Sequence, residues 1–379
     1  MVNKHRLAET FRFLVEIDSV SKEEQTFCME IKKILESMGA GTFVDDAGDK
    51  IGGNTGNLIA KFKGNRPALP LLLNAHMDTV EPGKGVTAVF SDGVFTSDGT
   101  TILGADDKSA IAILIEALKI IQENDLPHGP LELVFTVCEE IGLLGAKHLD
   151  SDHITATFGY ALDATDTEGI VTRAPSANHF EFKVHGKDAH AGAGPEKGIN
   201  AISLASKAIA NLEIGRIDPE TTCNIGIIEG GTATNIVPNL VTIKGEVRSH
   251  DEEKMDNVTD TIVSSFRRIV ENYKGMSSDD ARPRLETDIQ KDFSRTHIPD
   301  NHPVVLLAVK AAENLGRKMK IKTSGGGADA NIFFEKGIMT GVLGTGMRDM
   351  HTVRESVCLD DMVRTTELLL EIIRVHAEG

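Results

Sequence analysis

Residues 70–80 read PLLLNAHMDTV. The triplet Leu71–Leu73 is short and continuously apolar, the pattern of a strand buried on both faces of a parallel sheet. His76 and Asp78 stand directly at its end, at positions i and i+2, which point the same way from extended chain. A carboxylate so placed can accept a hydrogen bond from the far ring nitrogen of a metal-binding histidine, fixing its tautomer. This one stretch therefore predicts a core strand and a chemistry-bearing pair at its C-terminal end.

The surroundings extend the pattern. Helical periodicity covers 5–17 and 22–38, the second with Phe27, Ile31, Ile34 and Leu35 on one face. An amphipathic helix is predicted over 108–123, with Ile111, Leu114, Ile115 and Leu118 on one stripe and Glu116, Lys119 and Glu123 opposite. Residues 131–137 (LELVFTV) and 158–163 read as further buried strands, and the Gly-, Ser-, Thr- and Asp-rich segment Pro82–Thr101 as a loop. Strands interleaved with helices predict an α/β domain with a largely parallel sheet flanked by helices.

The style changes near residue 175. A half-solvated strand at 180–185, a helix at 197–212, strands at 223–229 and 240–248, a helix at 252–272 and a strand at 283–290 follow. That order, β-α-β-β-α-β, is ferredoxin-like α+β. The α/β style resumes near 295 with a helix at 302–315, a strand at 338–343 and a helix at 360–376. The expectation is a discontinuous α/β domain, 1–175 with 295–379, and an inserted α+β domain, 176–294.

Composition bounds the function. The 379 residues carry a formal net charge of −17, which disfavours nucleic-acid partners. No run approaches the ~20 apolar residues of a membrane helix, and the start MVNKHRLAETF has no apolar signal core. Cys28, Cys138, Cys223 and Cys358 are scattered, with no Cys-x-x-Cys pair, as expected of reduced thiols in a cytoplasmic protein.

Four further signals carry chemistry: Asp106-Asp107 in LGADDKSA, Glu139-Glu140 after LELVFTV, Asp163 after a core strand, and His351 in a loop before the last helix. Each alone has an ordinary structural reading; adjacent acids at a helix N-terminus, for instance, contribute ~0.3–1 kcal/mol. Together they gather beyond the C-terminal ends of predicted strands, where open parallel sheets bind ligands. Oxygen and imidazole donors without thiolate suit zinc, manganese or cobalt. Asp106, Glu140 and Asp163 with one hydroxide balance two divalent cations. In the Glu139-Glu140 pair one carboxylate can bind metal while the other takes a proton from bound water.

HMD, GADDK, CEEIGLLGA, ALDAT, GKDAHAGAGPEKGINA, TATNIVP, GEVRS, SGGGADAN and MHT follow one another along the chain. The ordered set resembles the dizinc exopeptidase family that includes peptidase T, carboxypeptidase G and succinyl-diaminopimelate desuccinylase, closest to the peptidase T branch. The resemblance implies two Zn2+ per chain, with Mn2+ or Co2+ as substitutes. His76, Asp106 and Asp163 would hold one; Asp106 would bridge to the other, completed by Glu140 and His351. Asp78 would orient His76, and Glu139 would be general base for attack of a bridging hydroxide on a short peptide. His190 would stabilise the oxyanion; Asn235 and Arg248 would bind substrate backbone or carboxylate; Gly325, Gly326 and Gly327 would lie along the peptide. The resemblance also implies that 1–175 with 295–379 is the catalytic domain and that the inserted domain, 176–294, serves as lid and homodimer contact. The competing expectation is an N-acyl amino acid deacylase on the same metals.

Overall fold

The structure, a computed structural model, describes residues 1–274 and 281–379. The chain forms two compact units, Met1–Arg173 with Thr296–Gly379, and Ala174–Arg295.

The first unit is built on a nine-stranded sheet. The strand Leu71–His76, buried at every residue, pairs in parallel with Leu131–Thr136 on one side and Phe158–Ala164 on the other. Met339–Gly344 continues the parallel run beside Phe158–Ala164. Leu58–Phe62 and Gly41–Val44 extend it antiparallel at one side. Because the central strands are parallel and buried on both faces, their side chains are mostly apolar, Asn74, Glu132 and Thr136 being buried exceptions, and their C-terminal ends share one edge. His76 and Thr136 are register partners there.

The helix Ala105–Glu123 packs against Lys4–Val15 and Leu359–Glu378. Its apolar stripe is buried as expected, but the opposite stripe is not uniformly solvated. Glu116 is buried because Lys4–Val15 lies over it, and Arg6 Nε meets its carboxylate at 2.6 Å. The periodicity marked the apolar face correctly and could not register that a neighbouring helix brings its own cation.

The segment expected as a loop, Pro82–Thr101, contains a hairpin of Ala88–Ser91 and Val94–Ser97. Asp92 and Gly93 both take positive φ (51° and 81°), the two-residue turn that matches strand twist. Phe95 is buried edge-on to Phe11 at 5.0 Å, which anchors the hairpin. Val94–Ser97 also pairs with Ser356–Cys358, which pairs with Met347–Arg348, making a small four-stranded sheet. That sheet pins both ends of the loop carrying His351.

The second unit is a five-stranded antiparallel sheet in the order Gly215–Asp218, Thr221–Gly230, Leu240–Ser249, Ser176–His185, Arg284–Phe293. The helices Ala201–Ile209 and Glu252–Glu271 pack on it over a core including Phe180, Phe182, Ile243, Val247 and Phe266. The four long strands and two helices follow the ferredoxin-like order; the short Gly215–Asp218 strand is additional. Among the described residues, no helix is long and apolar enough to cross a membrane.

Candidate metal centre

His76 ends its strand with Nδ1 2.9 Å from the backbone carbonyl of Asp78. A carbonyl only accepts, so Nδ1 carries the proton and Nε2 is left as the ligating lone pair in the neutral ring. The Asp78 carboxylate, expected to meet Nδ1, lies farther off at 3.5 Å. Its oxygens instead accept the backbone N–H groups of Glu139 (2.9 Å) and Glu140 (3.2 Å) and the Ser21 hydroxyl (2.7 Å). A buried carboxylate seeks the most donors, and two adjacent orphan N–H groups outcompete one ring nitrogen. Asp78 thus ties the end of the Leu71–His76 strand to the glutamate turn. The same turn is held from behind: Cys138 takes a left-handed φ of 51°, and its N–H donates to Glu24 Oε1 at 3.0 Å.

Asp106 stands at the start of the helix Ala105–Glu123, with non-helical backbone (φ −82°, ψ 100°) after a left-handed Gly104. Its two oxygens face different histidines. Oδ1 lies 3.0 Å from His76 Nε2, and Oδ2 lies 3.4 Å from His351 Nε2. His351 Nε2 is also 2.9 Å from Glu140 Oε2. Ligand atoms of His76, Asp106 and Glu140 all lie within 4.8 Å of one another.

The electrostatics are those of an acidic cluster short of positive charge. Burial, then neighbouring charges, pushes Asp163, Asp107 and Glu139 well above the usual carboxylate range. Glu140 is raised by burial and by Asp106, although His351 opposes this. Burial would raise Asp106 too, but hydrogen bonds from His351 and His76 pull it below its ordinary value. Burial works against charging His76, yet Asp106 and Asp78 lift it well above 6.5; His351 is raised to about 10 by Asp106 and Glu140. Glu140 Oε1 is buried without a hydrogen-bond partner. The nearby thiol is not a competing donor, since Cys138 Sγ points to Glu24 at 3.3 Å and burial raises its pKa. Imidazole nitrogens, buried carboxylates and an orphaned oxygen fit a hard or borderline divalent cation.

The remaining sequence-predicted residues lie as follows. Gly325, Gly326 and Gly327 connect the strand Lys320–Thr323 to the helix Asp329–Glu335, Gly325 exposed and the other two half-buried. In the second unit, His190 is exposed, and its Nδ1 accepts the N–H groups of Gly192 and Ala193, both at 3.1 Å. Asn235 is beside it in the backbone ladder, its carbonyl accepting Ala191 N–H at 2.9 Å. Arg248 is half-buried on the strand Leu240–Ser249 and pairs with Glu246 at 3.1 Å.

Sequence reasoning gave no role to three acids. Asp107, the second acid of GADDK, accepts the His76 N–H at 3.2 Å. Asp329 accepts Thr136 Oγ1 and is pushed up to about 6 by burial. It belongs to SGGGADAN, where attention to the glycines hid it. Glu355 accepts the backbone N–H of Asp106 at 2.9 Å; no local pattern marks it.

A parallel-sheet hydrolase core with an inserted α+β unit and a cation-binding cluster at the strand ends defines the class, and the chain belongs to peptidase family M20/M25/M40, which matches residues 72–375. Within the family it is peptidase T-like. It is 27% identical over 365 residues to Peptidase T of Fusobacterium nucleatum, covering 93% of this chain and 84% of that protein. Aminopeptidase PepT from Bacillus cereus superposes with a TM-score of 0.90 at 39% identity, and a tripeptidase from Staphylococcus aureus with 0.93 at 37%, each over 100% of both chains. The resemblance read from the ordered motifs holds, as does the fold class, and the chain is a hydrolytic metallopeptidase.

Proposed function

We propose that this metallopeptidase is a tripeptidase-like exopeptidase cleaving short peptides with a free amino terminus. The observation that carries the metal-dependent part of the reading is Asp106, whose two carboxylate oxygens face His76 and His351 separately, as a ligand shared by two cations would; the likeness to an aminopeptidase PepT and a tripeptidase favours the exopeptidase over a deacylase. In this reading His76, Asp106 and Asp163 would hold one Zn2+, and Asp106, Glu140 and His351 the other, with Mn2+ or Co2+ as substitutes. Bound divalent cations supply Lewis acidity and bring the pKa of water towards ~7. Glu139 is the general base: its carboxylate takes the proton of the attacking water and returns it to the leaving amine nitrogen. The burial that raises its proton affinity suits both transfers.

Asp78 holds the Glu139–Glu140 turn in register, so base and ligand are set together. With its Nδ1 occupied by two backbone N–H groups, His190 presents Nε2–H as a donor, suited to a developing oxyanion. Asn235 and Arg248 are assigned to substrate backbone or carboxylate, and Gly325, Gly326 and Gly327 to the peptide's flank. Four free cysteines are consistent with a cytoplasmic location, and a homodimer through the second unit completes the proposal.

The test is a metal-reconstituted assay against free and N-acylated di- and tripeptides, with a chelator control. Turnover of free tripeptides, abolished by chelation, is expected. Turnover confined to N-acylated amino acids would reject the exopeptidase reading in favour of a deacylase.

A further inference from the structure

Glu355 offers no atom to the histidine–carboxylate cluster, yet it is 1% exposed and both its oxygens are spent on the backbone that carries Asp106. Oε2 accepts the N–H groups of Leu103 and Gly104, each at 2.8 Å, and Oε1 accepts that of Asp106 at 2.9 Å. These donors sit just ahead of and within the buried first turn of the helix Ala105–Glu123, where the helical ladder supplies no acceptor. Glu355 is itself held firmly. Its N–H bonds to the Thr352 carbonyl at 3.0 Å, in the loop that bears His351, and the next residue opens the strand Ser356–Cys358. One side chain therefore straps the His351 loop to the Asp106 turn, across 249 residues of sequence.

We propose that Glu355 is a positioning residue for the metal centre, fixing the 103–106 turn to the His351 loop and so setting the Asp106 carboxylate between the two histidines. The inference rests on the reading of that cluster as a cation site. It makes a claim distinct from general stabilisation, because the fold contains a comparable clamp away from the site. Glu132 is 3% exposed and accepts Thr155 N–H (2.8 Å), Ala156 N–H (2.9 Å) and Thr155 Oγ (2.7 Å), none of them in a segment that carries a ligand.

The experiment compares zinc affinity, by competition with a chromophoric chelator, and the Tm of the zinc-free full chain for wild type, Glu355→Gln, Glu355→Ala and Glu132→Gln. In Glu355→Gln the amide oxygen can still serve Leu103 and Gly104, but its NH2 then meets the Asp106 N–H donor to donor. The expected result is a zinc Kd raised ~10–100-fold in Glu355→Gln, the usual cost of losing a group that orients a ligand, and raised further in Glu355→Ala. Glu132→Gln should lower Tm and leave the Kd at the wild-type value. Wild-type affinity in Glu355→Gln overturns the proposal, as does an equal loss in Glu132→Gln, which would make affinity a mere readout of stability. Should Glu355→Ala fail to fold, the Gln pair carries the test alone. A folded wild type that binds no zinc, manganese or cobalt would instead overturn the cation reading beneath it.

Discussion

Both units gather acids, but they treat them differently. On the second unit's sheet, Glu181 lies between Lys183 (3.0 Å) and Lys244 (2.9 Å), Asp292 faces His179 (3.1 Å), Glu246 faces Arg248 (3.1 Å) and Glu286 faces His185 (3.3 Å). Each acid has a basic neighbour, and water screens the pairs. In the first unit, Asp106, Asp107, Glu139, Glu140 and Asp163 surround two histidines, and among the described residues no Lys or Arg pairs with any of them. Buried acids without matching cations are costly. The contrast shows where this chain must recruit charge from outside itself, and it picks out the chemical centre more sharply than the number of acids does.

Four measurements bear on that contrast. The largest effect is expected from chelation, which should abolish turnover, while restoring the cation to ~100 Kd should add ~2.7 kcal/mol of stability, read as a rise in Tm. Unchanged Tm and turnover after complete chelation would erase the distinction between the two regions. Next, Glu139→Gln is expected to lower kcat by ~10²–10⁴-fold while elemental analysis finds metal retained; Glu140→Ala should lower metal content instead. Opposite results would exchange the two roles.

Smaller, and sharpening the contrast, is the behaviour of a buried acid that does have donors. Burial alone would raise Glu132, but hydrogen bonds from Ala156 and Thr155 bring it below 4.5, the reverse of Asp107, Glu139, Glu140 and Asp163. Its contribution is present above the unfolded value of 4.5 and lost as pH falls through the lower folded value. Glu132→Gln should therefore cost ~1–3 kcal/mol at neutral pH, with the gap to wild type closing in acid; denaturant titration at several pH values checks the sign. Last, Glu181→Gln on the second unit is expected to leave metal content and Tm unchanged, and a loss of metal there would break the comparison outright.

The parts of the molecule legible in sequence are those encoded by period and position. Leu71–Leu73, LELVFTV and the 252–272 periodicity each mark an element because their apolar spacing is local. His76, Glu139, Glu140, Asp163 and His351 stood out because each follows a strand or lies in a short distinctive triplet. What escaped depends on partners remote in sequence. The buried fate of Glu116 was set by Arg6, and the hairpin at 88–97 is secured by Phe11 and by Ser356–Cys358. Glu355 sits in a polar run, RES, that reads as solvated surface; only the folded backbone brings three N–H groups to it. Asp92-Gly93 was a local turn signal and could have been read, but the polar composition around it favoured a loop.

The order in which the first unit is written carries a consequence for biogenesis. Its strands and its acids up to residue 173 are synthesised first, the whole of 174–295 comes next, and only then does the segment with His351 emerge. A nascent chain at that intermediate stage has His76, Asp106, Glu140 and Asp163 but lacks the imidazole that faces the second oxygen of Asp106. Loading with a full complement of cations is accordingly expected to be a late, post-translational event that reports completion of the chain.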